Sequence, residues 1–128
     1  MTQKIIIDAD PGIADALAIL VALADPSIDV LGLTAVSGSV SGIQATRNLQ
    51  YVIGLADPLR HPRVGQSGTP EACADHIPSG MPLQQSLNGH MGLGDLDPLV
   101  PDLHNRRESP KLIVDLLRAH PQEIRILT

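Results

Sequence analysis

Three carboxylates fall close together near the start of the chain, in Asp8-Ala9-Asp10-Pro11-Gly12-Ile13-Ala14-Asp15. Gathered in a partly buried cleft, they would raise one another's pKa unless protons or a cation neutralised them. A hard divalent ion with oxygen ligands is the economical solution. A purely local account has Asp10 capping a helix and Asp15 sitting near its positive end, gains of about 0.3 to 1 kcal/mol each. That account serves one acid and leaves the set of three unexplained, so the segment reads as a functional site. A strand, a glycine-containing turn and a helix start could also cradle phosphate. However, no Gly-x-Gly-x-x-Gly or Gly-Lys-Ser/Thr pattern is present, and an anion would meet the acids. A neutral, polyhydroxylated ligand held through its hydroxyls fits better.

The histidines, His61, His76, His90, His104 and His120, show neither the spacing of a helical metal pair nor a cysteine neighbour, so zinc is not expected. His61 and His120 stand beside prolines at element ends and read as surface residues. His90 differs, because the glycines of Asn88-Gly89-His90-Met91-Gly92-Leu93-Gly94 let a loop fold over a ligand. Cys73 has no base or cationic group beside it in sequence and reads as an ordinary thiol.

The elements that must position these groups alternate. Ile5-Ile6-Ile7 marks a strand over Lys4 to Asp8, covered on both faces. Asp10 as cap and Pro11 at the first helical position open a helix, with Ile13, Ala16, Leu17, Leu20, Val21 and Ala24 at three-to-four spacing, stopped by Asp25-Pro26. Ile28 to Val36 reads as a second strand, Ser37-Gly38-Ser39 as a turn, and Ile43 to Leu55 as a second helix. Arg63-Val64-Gly65 is a weaker strand, Ser109 to Ala119 a helix opened by Pro110, and Glu123 to Leu127 a last strand. Residues 66–108 form a Gly-, Pro- and Ser-rich stretch too long for a simple connection, of the kind that serves as an active-site loop. Strand and helix in alternation predict one α/β domain over residues 1–128, with a mostly parallel, open, Rossmann-like sheet and right-handed crossovers. Ligands in such sheets bind beyond the carboxyl ends of the strands, where Asp8 to Asp15, Ser37 to Ser39 and the loop from Gln66 all lie.

Composition narrows the function classes. With 128 residues there is no room for a second complete domain, and with Tyr51 as the one aromatic residue the core must be Leu, Ile, Val and Ala. A formal charge of −5 and no basic cluster beyond Arg106-Arg107 argue against nucleic acid. The helical apolar stretch Ile13 to Ala24 is too short to cross a bilayer. Neither a secretory leader nor a possible internal disulfide is seen, so a cytoplasmic protein is expected.

The segment Asp8 to Ala16 resembles the amino-terminal signature of the inosine-uridine preferring nucleoside hydrolases, Asp-x-Asp-Pro-Gly-x-Asp-Asp-Ala. Leu33-Thr34-Ala35-Val36-Ser37-Gly38-Ser39 is similar to that family's second strand and turn, Thr46-Arg47-Asn48 to part of its next helix, and Gly89-His90-Met91-Gly92-Leu93-Gly94 to its glycine-rich active-site loop. The resemblance spans nearly all of this chain but less than half of the family's usual domain, implying a truncated nucleoside hydrolase core. It implies that Asp10 and Asp15 ligate Ca2+, and that Asp10 is the catalytic residue, taking a proton from a calcium-bound water that attacks the sugar. It further implies that Asp8 orients the site from behind, and that Ser39 and His90 contact substrate. The expected reaction is hydrolysis of the N-glycosidic bond of purine or pyrimidine ribonucleosides in salvage. The expected partners are a ribonucleoside and further copies of the chain in a homo-oligomer, with no nucleic acid and no membrane.

Three departures from the family pattern bear on activity. Ala14 stands where the family usually has a sugar-contacting Asp, and Ser39 where it has Asn. The chain also stops at Thr128, before the stretch that supplies a backbone calcium ligand, the remaining carboxylate and the leaving-group acid. Two rivals follow from the same residues. Ile5-Ile6-Ile7-Asp8-Ala9-Asp10 also resembles the nucleophile strand of haloacid-dehalogenase-like phosphatases, although Gly12 interrupts that motif. A non-catalytic ribose- or nucleoside-binding remnant would account for Ala14, Ser39 and the length.

Overall fold

The computed structural model describes residues 1–70, 87–101 and 107–128, so Cys73, His76, His104 and part of the expected 66–108 loop lie outside the described residues. Four parallel strands, β1 (Gln3–Ala9), β2 (Ile28–Ala35), β3 (Arg63–Gly65) and β4 (Ile124–Leu127), stand in the order β3-β2-β1-β4. Helices α1 (Ile13–Ala24), α2 (Gly42–Ala56) and α3 (Ser109–Ala119) connect them. The chain builds outward from β1 through β2 to β3, then returns to place β4 on the other side of β1. The reversal puts a crevice at the carboxyl end of the central strand, where open sheets of this kind bind ligands.

The run Ile5-Ile6-Ile7 forms the middle of β1 because both faces of the strand are covered. Ile5 and Ile7 pack into the main core with Ile19, Ala22, Leu33, Leu49 and Val52, under α1 and α2. Ile6 turns the other way, onto Leu112 and Leu116 of α3. The pairing of β1 with β2 slips once, between Ile5 and Ile6: Ile5 sits beside Val30 and Ile6 beside Gly32, so Leu31 bulges out of the register. Beyond the slip Asp8 stands beside Thr34.

Local chemistry sets the helix ends. Ser41 Oγ accepts from the Gln44 N–H at 3.1 Å and caps α2, and Asp57 closes that helix in a left-handed conformation before Pro58. Pro110 fills the first turn of α3. Arg107 donates to Asp115 on the same helix, and that bond holds the Asp115 carboxyl below the usual carboxylate range.

Two expectations about α1 need correction. Asp10 does not cap it. Gly12 is the cap residue, the helix starts at Ile13, and Pro11 lies before it, fully buried. The expected apolar stripe is buried only in part: Ala16 and Leu20 pack against the core beside the buried Ile19 and Ala22, whereas Ile13, Leu17 and Val21 are 41%, 59% and 67% exposed. The sequence Ile-Ala-Asp-Ala-Leu-Ala-Ile-Leu-Val-Ala-Leu-Ala is apolar nearly all round, so periodicity alone cannot choose its buried face.

Exposed apolar surface therefore runs along the outside of α1 and includes the open edge strand β4, where Ile126 and Leu127 are 42% and 49% exposed. Edges and patches of this type favour association. We expect the 128-residue chain to self-associate at micromolar concentration, and a sharp, compact monomer in sedimentation velocity would refute that. Among the described residues no helix is long and apolar enough to cross a membrane.

Candidate active site

Each of the three acids has its own donor. Asp8, at the end of β1, accepts from Thr34 Oγ1 at 2.6 Å, a bond made possible by the slipped register. Asp10 lies just past the strand. Its Oδ2 accepts from both the backbone N–H and the Oγ–H of Ser39, at 2.6 and 2.8 Å. Asp15, in the first turn of α1, accepts at 3.4 Å from the N–H of Gly12. All three are half-buried. They do not form one crowded cluster as the sequence suggested, because a different partner turns each carboxylate. Among the described residues no group of three His, Cys, Asp or Glu side chains could hold a metal.

Asp10 and Ser39 are brought into direct contact. The turn after β2 is pressed against the acid: a Cβ on Gly38 would stand 2.2 Å from Asp10 Oδ2. Glycine is needed there for close approach, and Gly38 N–H in turn donates to Val40 O at 3.0 Å. Both hydrogen bonds fall on Oδ2. No bond to Oδ1 is made among the described residues.

Asp8 belongs to a different side of the strand ends. It lines a cavity of about 400 Å3 with Ser37, Gln66, Ser67, Glu108 and Ser109, whereas Asp10, Asp15 and Ser39 do not line it. The hydroxyl of Ser109 is spent on Ala35 O at 2.7 Å, and two of the lining residues, Gln66 and Glu108, are joined by an isolated parallel bridge. Gln66 Nε2 is buried without a hydrogen-bond partner among the described residues.

The glycine-rich loop lies on the α1 start. Gly89, Gly92 and Gly94 all have positive φ, +76°, +84° and +63°. Gly92 is confined further, since a Cβ there would meet Pro11 O at 2.9 Å and Asn48 Nδ2 at 3.0 Å. His90 is exposed, and its backbone N–H donates to Asp95 Oδ1. What the loop presents to the acid-bearing turn is Asn88, whose Oδ1 accepts from Ile13 N–H at 3.1 Å and so supplies the helix cap that Asp10 does not. His61 is exposed as expected, but His120 is half-buried, with Nδ1 3.3 Å from Lys4 Nζ.

Two residues outside the sequence-derived set hold the site together, Asn88 and Asn48. Asn48 is fully buried on α2 and bonds both the acid-bearing turn and the glycine loop. The sequence did carry a sign of it: an asparagine on the same helical face as Ala45, Leu49 and Val52 must find partners, because leaving a buried amide unsatisfied costs about 1 to 3 kcal/mol. Ala14 is exposed in the first turn of α1. An Asp at that position should therefore be accommodated, with stability unchanged or raised by a few tenths up to about 1 kcal/mol from the helix N-terminus. A chemical melt of Ala14→Asp showing a loss larger than about 1 kcal/mol would contradict that placement.

The oxygen donors of Asp10 and Asp15 suit calcium in kind, but two carboxylates fall short of the six to eight oxygens such an ion gathers.

The model of the inosine-uridine preferring nucleoside hydrolase family matches residues 5–128. The chain is 35% identical to uridine nucleosidase 1 of Arabidopsis thaliana over 98% of its own length and 36% of that protein's. It is 33% identical to the inosine-uridine preferring nucleoside hydrolase of Leishmania major over 94% of its own length and 37% of the relative's. Among solved structures it is similar to a plant nucleoside hydrolase with a TM-score of 0.79 at 29% identity, covering 98% of this chain and 39% of that one. A purine-preferring ribonucleoside hydrolase from Gardnerella vaginalis gives 0.72 at 25% identity, covering 96% and 39%. The family match takes in Asp8 to Asp15 whole and sets the phosphatase alternative aside. From its first strand to its last, though over little more than a third of its relatives' length, the chain belongs to the inosine-uridine preferring nucleoside hydrolase family.

Proposed function

We propose that this chain carries the acid-bearing part of a site that hydrolyses the N-glycosidic bond of purine or pyrimidine ribonucleosides. The observation that carries the proposal is Asp10, a carboxylate at the carboxyl end of the central strand, held by two Ser39 donors on one oxygen, with no bond to the other among the described residues. The relatives named for uridine and for inosine-uridine hydrolysis support the substrate class.

Asp10 accepts a proton from the attacking water at Oδ1, while Ser39 keeps the carboxylate from turning away. Water adds to the anomeric carbon as the sugar takes on oxocarbenium character and the base departs. Asp10 and Asp15 would hold calcium, which when bound supplies positive charge to offset the acids and polarises oxygen ligands. Asp8, bonded to Thr34, fixes the end of β1. The glycine loop covers the start of α1 and can shield that side from bulk water.

Ala14 and Ser39 weaken the sugar contacts relative to the family pattern, so we expect little or no base release by the 128-residue chain. Ala14→Asp with Ser39→Asn should improve release only in a chain extended past Thr128. Chromatography of inosine and uridine digests tests both statements. Vigorous release by the unmodified chain would overturn the weight given to the departures. A folded, extended double variant that binds nucleoside without ever releasing base would replace the hydrolase by a binding protein.

Calcium should bind the present chain with an affinity on the order of millimolar, since tight sites need more ligands. Binding to the folded state alone stabilises by about 1 kcal/mol at several times the dissociation constant. Asp10→Asn or Asp15→Asn should abolish that gain. A thermal melt of the folded, metal-free protein that ignores millimolar calcium chloride would remove these two acids as an ion site.

A further inference from the structure

Among the described residues Asn48 is the one fully buried side-chain amide, on the face of α2 that otherwise presents Ala45, Leu49 and Val52 to the core. Its Nδ2 donates to Pro11 O at 3.1 Å and to Met91 O at 2.8 Å, and its Oδ1 accepts from Gln44 Nε2 at 2.9 Å. Two carbonyls and one amide donor around it fix which end is nitrogen. Both acceptors are main-chain atoms. Pro11 lies between Asp10 and Asp15, and Met91 lies inside the glycine loop. The two segments meet again where Asn88 caps Ile13 and where Gly92 packs against Pro11 O. Arg47 and Gln50 of the same helix hold the far end of the loop through Pro98 O and Pro101 O.

We propose that Asn48 is a positioning residue whose single amide sets the acid-bearing turn and the glycine loop in register, so that ion binding at the turn and placement of the loop are coupled. This rests on Asp10 and Asp15 being the ion site. A helix polar group that merely satisfied itself could bond its own helix, as Thr46 does to Gly42 O. Asn48 instead spends both donors on two segments far apart in sequence. Buried amide bonds in a low-dielectric core are strong enough, and geometrically narrow enough, to transmit a shift of one backbone segment to another.

The test reads backbone amides by nuclear magnetic resonance in the 128-residue chain, with Gly12 and Gly38 reporting the turn and Gly92 and Gly94 reporting the loop. On adding millimolar calcium chloride to the native chain, all four should shift. In Asn48→Asp, Gly12 and Gly38 should still shift, Gly92 and Gly94 should not, and calcium affinity should fall about fivefold or more, the low end of coupling between linked sites. Thr46→Val, a buried change on the same helix outside both segments, should lower the melting temperature while leaving the four shifts and the affinity intact. Should Asn48→Asp fail to fold, Gln44→Ala removes only the bond that orients the amide and should weaken the coupling in the same direction. A metal-free arm keeps the two readings separable. Gly94→Ala, strained at φ +63° while its added carbon meets only Ile13 Cδ1 at 3.9 Å, should move the Gly12 and Gly38 amides in the native background and not in Asn48→Asp. Equal movement in both backgrounds, or loop shifts with calcium that survive Asn48→Asp, overturns the proposal. Coupling in the metal-free arm without any calcium response supports Asn48 as the link and rejects the ion site instead.

Discussion

In a chain long enough to release base, Asp10→Asn is expected to lower kcat by about 10²- to 10⁴-fold, the usual contribution of a positioned acid or base. Asparagine can keep an oxygen where the Ser39 N–H and Oγ–H donate, so the turn after β2 should stay in place while the proton acceptor disappears. Crystals or amide spectra of the variant should show Ser39 unmoved. Because the same change weakens calcium, turnover must be compared at saturating calcium and nucleoside, where a loss confined to kcat reports chemistry rather than binding. If kcat stays within about threefold of the parent under those conditions, Asp10 is not the base.

Gly38→Ala should be the most damaging small substitution near the site. The added methyl would stand 2.2 Å from Asp10 Oδ2 and 2.7 Å from its Cγ, with β2 on one side and the main core below. Either the turn moves or Asp10 leaves its rotamer, and overpacking of this kind costs about 1 to 3 kcal/mol. Urea denaturation should show that loss together with a missing calcium response. The clash also predicts its own relief: Asp10→Ala in the Gly38→Ala background should recover much of the stability, although not the ion. If Gly38→Ala melts like the parent and still responds to calcium, the turn is not pressed against the acid as described.

Much of the architecture was readable because it follows from short-range rules. The isoleucine run of β1, the breaks at Asp25-Pro26 and Asp57-Pro58, and Pro110 at the start of α3 placed β1, α2, α3 and the end of α1 within a residue of their observed bounds, while α1 starts two residues later than expected. The family resemblance of Asp8 to Ala16 was equally plain. What escaped was tertiary. Asp10 sits where a helix cap would, and from the chain alone nothing says that Ser39, in the turn after β2, claims its oxygen first. Asn88, which does cap Ile13, comes from a loop distant in sequence, and loop-to-helix bonds leave no periodic trace. The outer face of α1 was misjudged for a related reason: a helix apolar all round is oriented by what packs on it, here β1, β2 and α2. His90 drew notice for its chemistry, whereas the loop acts on the turn through the backbone of Met91 and the side chain of Asn88.

Leu31, the bulged residue of β2, works as a phase shift between the two central strands. Had the spacing of the first three pairs continued, Asp8 would stand beside Leu33 instead of Thr34. The extra residue is taken up on one face: Leu31 packs with Ile6 and Leu112 toward α3, and a Cβ on the next residue, Gly32, would meet Leu116 Cδ1 at 2.8 Å on that same side. Deleting Leu31 would therefore remove the slip and leave Leu33 beside Ile7 and Thr34 beside Asp8. What Leu31 adds is apolar bulk under α3; the acid-bearing end keeps its register without it.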